Sequence, residues 1–438
     1  MTVDAARSRG HLLAVLGVGF GLAVTIGNAV GAGILRTPSV VAGHLPAFWP
    51  FVAAWTAGAA YALLGANALA ELATLVPRSG GQYAFVREGL GDYPAFVVGW
   101  SDWVSTCGTT AAVAIVVGEF AAGLFPALGN EQLIAFAVVA VFTVVQWIGI
   151  RSGSAVQGLT SLIKAAALLL FIIVCFRSGS RVPWEGPFTL RASGESAFIP
   201  FFLALQSVIY TYDGWSAVVY FSGEVKDYAR SIPRAMIGSV MTIGLLYLLL
   251  NASFLSVVSL SEMASGNFAA GLVMETIAGA GGARVLAGLV VLMLLSAVSS
   301  NVLMAPRVLF AMAEDRLFWR RAQSVNRGGT PDVALLISSL VAAGFILTGT
   351  FESVIARLSF FFVANYALSF ITLFVLRRKA ADTPRPYRAW GHPATTAVAL
   401  VASVAFLAGA AASDPSSARD ALALLLVTIP VYLLARPR

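Results

Sequence analysis

Charged residues are scarce in this sequence of 438 residues. Asp, Glu, Lys and Arg together make up only 11% of it, whereas a soluble domain contains about 25%. Hydrophobic residues make up 58%, and the mean hydropathy is +0.84. This composition excludes a soluble globular protein and predicts an integral membrane protein.

Residue types that bind metals or perform covalent catalysis are also few. The three histidines, His11, His44 and His392, lie far apart, and no metalloprotease, hydrolase or P-loop motif occurs. Cys107 and Cys175 both fall in apolar segments, where they are expected to be small buried hydrophobes rather than a disulfide or metal pair. We therefore expect no metal, no cofactor and no enzymatic activity. A membrane enzyme is an alternative that only conversion of the solute would support.

The sequence is rich in long apolar runs. A run of about 20 residues crosses a bilayer as one helix. Such runs, separated by polar segments, predict an all-α protein of about twelve transmembrane helices. The expected spans cover residues 12–35, 47–70, 94–124, 132–150, 156–176, 198–222, 235–258, 284–312, 332–350, 354–376, 393–412 and 420–435.

Basic residues are concentrated in alternate loops. The net charge is +7, and the richer loops lie at 7–9, 78–87, 226–234, 316–327 and 377–388. Because Lys and Arg accumulate on the cytoplasmic side, we expect both termini in the cytoplasm and the protein in the cell membrane. The basic residues then set the orientation of the protein in the lipid bilayer. We therefore expect no nucleic acid partner.

The first span contains an irregular segment at residues 25–35. Three glycines and an asparagine interrupt its apolar run, and each interior glycine costs a helix about 1 kcal/mol relative to alanine. An unwound turn survives in hydrocarbon only when protein covers it or a polar group fills it. We expect the helix to break here and to hold a small polar solute near the middle of the membrane.

A broken helix exposes both kinds of backbone group. Free N–H groups favour an anion and free carbonyls favour a cation, so a zwitterionic α-amino acid fits both. The alternative is that Gly27 and Gly31, four residues apart, only let two helices touch. The predicted contacts are the N–H groups of Gly31, Ala32 and Gly33 for the carboxylate, and the carbonyls near Ile26, Gly27 and Ala29 for the ammonium group.

The sixth span is interrupted at residues 210–216, where an acidic residue precedes a glycine. The carbonyls of Tyr210, Thr211 and Asp213 are expected to complete the ammonium site, and Tyr210 or Trp215 to cover the solute. An ionisable residue inside a membrane usually has a function. For Asp213, substrate contact, proton carriage and a structural hydrogen-bonding role all stay open.

The two interrupted spans occupy matching positions in the chain. Such pairs are the sequence sign of an inverted-repeat transporter, although the halves match in hydropathy and position and not residue by residue. The pattern predicts one transporter domain, with repeats at 12–176 and 198–376 and two additional helices at 393–435.

Lys164 lies in the middle of the fifth span, where an unpaired cation is costly. We expect its ammonium group to replace a coupling cation, against carbonyls of the broken first helix and the hydroxyls of Ser299 and Ser300 in the eighth span. Transport then needs no sodium, although a buried lysine that releases its proton keeps proton coupling open. The alternatives are a snorkelling lysine and plain hydrogen bonding between helices.

Several short motifs, spread over nearly the whole chain, resemble those of the amino acid–polyamine–organocation superfamily of permeases. Within that superfamily the resemblance is to the L-type amino acid transporter group. The matching pieces are G-[ST]-G-I-[FL] at 31–35, E-L…P-x-S-G-G-x-Y at 71–83, F-[AS]-Y-x-G-W at 210–215, Glu224 with the loop 230–234, and Lys164 at the place of the second sodium site of sodium-coupled relatives.

The resemblance implies a five-plus-five inverted-repeat fold of the leucine-transporter type, with discontinuous first and sixth helices and alternating access. It also implies a sodium-independent exchanger or a proton-coupled carrier, in which Tyr210 replaces a phenylalanine gate. Ala32 replaces a hydroxyl residue of the first-helix pattern, and Asp213 stands where several relatives have glycine. No external cysteine is visible to tether an accessory subunit, so none is expected.

The sequence thus predicts a carrier of amino acids. Neutral amino acids are favoured because Asp213 is the only charged residue expected beside the solute. A basic amino acid or an amine that pairs with Asp213 is the alternative within this class. An ion channel is the alternative from another class, and it needs a continuous polar pore instead of a closed site.

Overall fold

A computed structural model describes residues 12–31, 33–180, 198–266, 268–348, 351–413 and 415–435. Apart from one bridge between Leu16 and Val225, the regular structure of these residues is helical. The helices of the first half are α1 (Val18–Ala29), α2 (Gly33–His44), α3 (Phe48–Leu75), α4 (Gln82–Leu90), α5 (Asp92–Leu124), α6 (Glu131–Ile148) and α7 (Ile150–Ser178). Those of the second half are α8 (Phe198–Tyr212), α9 (Tyr228–Val257), α10 (Leu260–Ser265), α11 (Ala269–Ala278), α12 (Gly282–Glu314), α13 (Asp332–Thr348), α14 (Phe351–Lys379), α15 (Ala394–Ser413) and α16 (Pro415–Ala435).

Every predicted span coincides with a helix or a pair of helices. Eight of the described helices are long and apolar enough to cross a membrane, and the bent pair α1–α2 makes a ninth. The other predicted spans coincide with the shorter α8, α13 and α16. The short α4, α10 and α11 were not predicted, because a span-length window averages over them. The all-α membrane fold is confirmed, and the division into repeats stays a prediction.

The burial pattern of α7 shows how these helices suit a bilayer. Leucines on its outer face are exposed, with Leu162 at 68%. In α7 the polar and small residues face inward and the leucines face outward. A soluble amphipathic helix shows the opposite pattern. The buried residues recur every three or four positions and include Gly153, Gln157, Ser161, Lys164, Leu168 and Cys175.

The first span breaks inside the glycine-containing segment 25–35, as predicted. α1 ends at Ala29 and α2 begins at Gly33, and the two helices are bent by 50°. Val30, which follows α1, has left helical geometry with φ −79° and ψ 89°. Val30 therefore does not continue α1, and the first span is broken at this point.

The sixth span breaks at Tyr212. The chain turns through residues 213–216 into a 3₁₀ segment, Ala217–Glu224. Gly214 in this turn has φ +101°, and a Cβ atom there would lie 2.8 Å from the backbone nitrogen of Ala29. Glycine alone suits both constraints, so Gly214 lets the two breaks touch.

Ion pairs join the helices at the end of the bundle that carries the arginine-rich loops. Asp315 accepts hydrogen bonds from Arg78 at 2.9 Å and Tyr83 at 3.0 Å, and it also pairs with Arg87 at 2.9 Å. These contacts fasten the loop before α4, and α4 itself, to the end of α12.

Three further ion pairs at this end are more deeply buried. Arg307 of α12 contacts the carboxylate of Glu224 at 3.1 and 3.2 Å, with both side chains fully buried. Glu71 of α3 accepts a hydrogen bond from Arg377 at 2.6 Å and lies 3.1 Å from Arg385. Glu71 and Glu224 belong to the sequence motifs noted above, and here they hold helices together.

Candidate functional site

A cavity of about 160 Å³ lies between the two helix breaks. Pockets for drug-sized ligands measure roughly 300–1,000 Å³, so this one suits a small solute. Side chains from α5, α12 and α14 complete the wall that the breaks begin. Polar lining comes from Asn28, Gln82, Thr106, Thr109, Ser216, Tyr220, Asn301 and Tyr366, and apolar lining from Val113, Val116, Leu294, Ala297, Met304 and Phe362.

Most of the predicted binding residues lie on this wall. Those that line the cavity are Ala29, Gly31, Gly33, Tyr210, Thr211 and Asp213. Ala32 lies outside the described residues. Ile26, Gly27 and Trp215 stand behind the wall rather than on it.

Gly27 is needed for close packing. A Cβ atom at this position would lie 2.1 Å from Nε2 of Gln157 and 2.6 Å from Oγ of Ser161, both on α7. A Cβ atom at Gly31, by contrast, would meet nothing within 4 Å among the described atoms. The helix-packing alternative therefore describes Gly27, and the ligand-facing interpretation describes Gly31.

The carbonyl groups at the end of α1 are already engaged, which corrects one expectation. The carbonyl of Ile26 accepts the Val30 N–H at 3.0 Å, and that of Gly27 accepts from Lys164. The Ala29 carbonyl accepts the Tyr247 hydroxyl at 2.9 Å. Because a carbonyl oxygen can accept two hydrogen bonds, Ala29, which lies on the wall, keeps one lone pair for a solute.

Lys164 reaches the first break from α7. Its side chain is fully buried, and Nζ donates to the carbonyls of Gly27 at 2.7 Å and Val30 at 2.6 Å. Unpaired carbonyls at a helix C-terminus attract a cation, and the ammonium group supplies that charge. Snorkelling is excluded for Lys164 because the ammonium group points into the bundle.

Ser299 and Ser300 of α12 were expected to contact the Lys164 ammonium group, but neither hydroxyl forms a hydrogen bond with it among the described residues. Ser300 Oγ donates to the carbonyls of Val24 at 3.3 Å and Ser296 at 3.1 Å. Ser299 Oγ is buried and has no hydrogen-bond partner within the described part of the chain. Ser300 thus holds α1 to α12 and leaves the ammonium group to backbone carbonyls.

Tyr247 of α9 connects the two breaks. Its hydroxyl lies 2.9 Å from the Ala29 carbonyl and 3.1 Å from the Thr211 carbonyl. A second contact, of 2.7 Å, joins the hydroxyls of Thr37 and Thr211. The C-terminal ends of α1 and α8 are thereby held side by side, with their negative dipole ends close together.

Asp213 faces the cavity from the second break. Its Oδ1 accepts the Tyr366 hydroxyl of α14 at 2.7 Å, and that hydroxyl also lies 3.1 Å from Ser216 Oγ. Trp215 stacks on the Tyr366 ring with centroids 4.7 Å apart. Trp215 therefore supports a wall residue and does not cover the solute itself.

Sequence reasoning missed several residues of this site. Tyr247, Tyr366 and Tyr220 are tyrosines in apolar spans and look like any aromatic packing residue. Asp102 of α5 did carry a signal, because an acidic residue inside a predicted span is a functional candidate by default. Its contact with Tyr220 joins residues far apart in the sequence, so only the folded chain reveals it.

Comparison with known proteins gives a family match and several related amino acid transporters. The sequence matches the amino acid permease family over residues 21–433. The serine/threonine exchanger SteT of Bacillus subtilis is 25% identical, with 95% of each chain covered. The b(0,+)-type amino acid transporter 1 of Oryctolagus cuniculus is 26% identical, covering 84% of this chain and 77% of the relative. The Asc-type amino acid transporter 1 of Mus musculus is also 26% identical, covering 98% and 82%.

The family match and the fold agree. The matched residues begin in α1 and end in α16, so they include both helix breaks and the whole cavity wall. Relatives of transporter type align over most of their own length as well. This chain therefore belongs to the amino acid permease family and is a multi-pass membrane transporter of amino acids, not an enzyme.

Proposed function

We propose that this protein carries small neutral amino acids across the cell membrane by alternating access, without sodium, through exchange or proton coupling. The repeats 12–176 and 198–376 move against each other around the cavity. The observation that carries the proposal is the meeting of two broken helices at one small cavity. Residues of both breaks line the same cavity, with Ala29, Gly31 and Gly33 from the first and Tyr210, Thr211 and Asp213 from the second.

The two ends of the amino acid bind to different backbone groups. N–H groups at Gly31, Ala32 and Gly33, where α2 begins, hold the carboxylate at a positive helix end. Carbonyls of Ala29, Tyr210 and Thr211 hold the ammonium group at the negative ends of α1 and α8. The list of groups explains why a zwitterion, rather than a plain cation or anion, suits the site.

The remaining wall sets the side-chain preference. The cavity of about 160 Å³ leaves space for a short side chain, and Thr106, Thr109 and Asn301 offer it hydrogen bonds. The relative from Bacillus subtilis is named for serine and threonine exchange. L-serine is therefore the first substrate to test.

A basic amino acid or an amine is the second candidate. Asp213 lines the cavity, and its carboxylate forms no ion pair with any described basic side chain. One relative is named b(0,+)-type. L-lysine, paired through its side-chain ammonium with Asp213, is the substrate that tests this candidate.

Lys164 takes the place of a coupling cation. Its ammonium group is bonded to two carbonyls of the first break, where a bound sodium ion would need oxygen ligands. We propose that uptake is unchanged when sodium is replaced by an organic cation. Both termini lie in the cytoplasm in this proposal, and the chain works without an accessory subunit.

Counterflow in liposomes tests the function. Purified protein in vesicles loaded with unlabelled L-serine is expected to take up external labelled L-serine to a saturable level. The same uptake is measured with empty vesicles and in sodium-free buffer. Counterflow is also measured with L-lysine inside the vesicles and labelled L-lysine outside. Saturable counterflow with L-lysine but not L-serine would favour the basic-substrate candidate, and conductance without saturation would support a channel.

A further inference from the structure

Asp102, the eleventh residue of the 33-residue helix α5, has a carboxyl group buried beside the cavity. Its side chain is 1% exposed. Oδ1 accepts the Tyr220 hydroxyl at 2.7 Å, and Oδ2 is buried with no hydrogen-bond partner among the described residues. An ionised carboxylate offers about four acceptor sites, and only one of them is used here.

No described basic side chain compensates Asp102. The titratable groups that face it are Tyr220 and Asp213, neither of which is a cation. Three described basic residues of helices packed against α5 pair elsewhere: Arg87 of α4 with Asp92 and Asp315, Arg307 of α12 with Glu224, and Arg377 of α14 with Glu71. Other charged residues of these helices, Glu88, Glu131, Arg284, Glu314, Asp332, Arg378, Lys379 and Arg419, lie near helix ends.

An uncompensated carboxylate at this depth is costly. Burial of an isolated ionised group in a low-dielectric interior is strongly unfavourable, and a second carboxyl group, Asp213, adds repulsion. The cost disappears when a proton neutralises Asp102. A solute cation cannot substitute for that proton, because Asp102 is absent from the cavity wall whereas Tyr220 is on it.

The bond to Tyr220 joins two elements that transport must move. Tyr220 belongs to the 3₁₀ segment Ala217–Glu224, which follows the break in the sixth span. Asp102 belongs to α5, a continuous helix packed along α12. A shift of the 3₁₀ segment against α5 separates the pair, and the carboxyl group then exchanges its proton with water at the cavity.

We propose that Asp102 is the proton-binding residue of this transporter, and that Tyr220 links its protonation to occupancy of the cavity. The inference rests on the proposed function and selects proton coupling over exchange alone. One proton from water on the donor side binds the Asp102 carboxylate and is released to water on the other side. With a zwitterionic substrate, each cycle moves one net positive charge.

Accumulation driven by a pH gradient tests this proposal. Vesicles with the full chain, no internal amino acid and the membrane potential clamped to zero receive labelled L-serine and an inward gradient of one pH unit. Wild type is expected to accumulate L-serine about tenfold, because one unit corresponds to 1.36 kcal/mol, a tenfold ratio. A trapped pH-sensitive dye is expected to report acidification on addition of L-serine.

The variant Asp102→Asn is expected to lose both the accumulation and the dye signal. Its counterflow of labelled against unlabelled L-serine continues, because exchange needs no net proton movement, and this readout shows that the variant is folded. Asp102→Glu restores a titratable group and a pH-dependent accumulation. Asp92→Asn, at the exposed start of the same helix, is the matched control and behaves as wild type.

The outcomes separate the two proposals. Absence of amino acid counterflow by wild type defeats the proposed function. Counterflow without accumulation or acidification by wild type overturns the proton site while leaving the carrier in place. Proton movement that persists in Asp102→Asn also overturns it and points to another carrier such as Lys164. If Asp102→Asn does not fold, Tyr220→Phe replaces it, with a weakened pH response expected and an unchanged response contradicting the link.

Discussion

Two glycines in the first break have different physical requirements. Gly27 is small because α7 side chains press against it, and Gly33 is small because it borders the cavity. A Cβ atom at Gly33 would meet Thr211 at an ordinary contact distance of 3.5 Å. The two residues look alike in the sequence, yet Gly27 packs against α7 and Gly33 lines the cavity.

Gly33→Leu is expected to abolish amino acid binding while the protein stays folded, because the side chain fills the cavity at the carboxylate end. Gly33→Ala adds only a Cβ atom with ordinary contacts, so it is expected to retain binding. Ligand-induced shifts in melting temperature with L-serine measure both variants. A normal L-serine shift in Gly33→Leu would remove this residue from the site.

Lys164→Ala is expected to lose transport and to lower stability. Two carbonyls at the first break then lose hydrogen bonds to a charged group, each worth about 1.5–3 kcal/mol. Lys164→Arg keeps the charge but has a longer, planar head, and we expect it to restore stability better than transport. Sodium-free uptake and thermal unfolding measure the two effects, and sodium-dependent uptake by wild type would contradict this role.

At the scale of elements, the breaks in α1–α2 and after α8 depend on a third element. α9 places Tyr247 between the two C-terminal helix ends, where its hydroxyl is shared by the Ala29 and Thr211 carbonyls. Its ring packs against Tyr212 with centroids 4.8 Å apart. A continuous helix thus positions two broken ones.

Tyr247→Phe is expected to weaken L-serine binding about tenfold, because a lost hydrogen bond of about 1–1.5 kcal/mol corresponds to that factor. The ring contacts remain, but the Ala29 and Thr211 carbonyls lose a buried donor, so the free energy of unfolding is expected to fall by about 1–1.5 kcal/mol. Tyr212→Phe is the matched control, since its hydroxyl makes only a 3.4 Å contact with the Trp55 carbonyl. Equal affinities of the two variants would show that the bridge has no role in binding.

At the scale of the molecule, ion pairs join the helices at the end that carries the arginine-rich loops. Asp315 contacts Arg78, Tyr83 and Arg87, which lie in and just before α4. The buried ion pair Glu224–Arg307 joins the 3₁₀ segment to α12. In a carrier that alternates, such contacts must open once per cycle. We therefore expect these contacts to act as a gate at this end of the molecule.

Asp315→Asn is expected to loosen that gate by about 2 kcal/mol, the cost of unpairing two partly exposed arginines beside a mostly buried acid. Hydrogen exchange of residues 78–90 and 315–330 is expected to accelerate in this variant. Asp92→Asn, which removes only the exposed partner of Arg87, is the control. Identical exchange in both variants would contradict a gating role for Asp315.

Part of the site could be read from the residues and part could not. The break at 25–35, the break at 210–216 and the placement of Lys164 in mid-span follow from local chemistry, since glycine weakens a helix and buried charge is costly wherever they occur. The binding contacts predicted for Ile26, Gly27 and Trp215 were less well placed. The Ile26 carbonyl bonds to Val30, the Gly27 carbonyl bonds to Lys164 of α7, and the Trp215 ring stacks on Tyr366 of α14.

The sequence by itself determined that the chain is a helical membrane protein of permease type, where its spans lie, and which spans break. These properties depend on hydropathy and backbone preference over short windows. Only the tertiary structure decided that Lys164 bonds to Gly27 and Val30, that Tyr247 bridges the breaks, and that Asp102 has Tyr220 as its partner. These contacts join residues more than 30 positions apart, and their partners are fixed by helix packing rather than by any local preference.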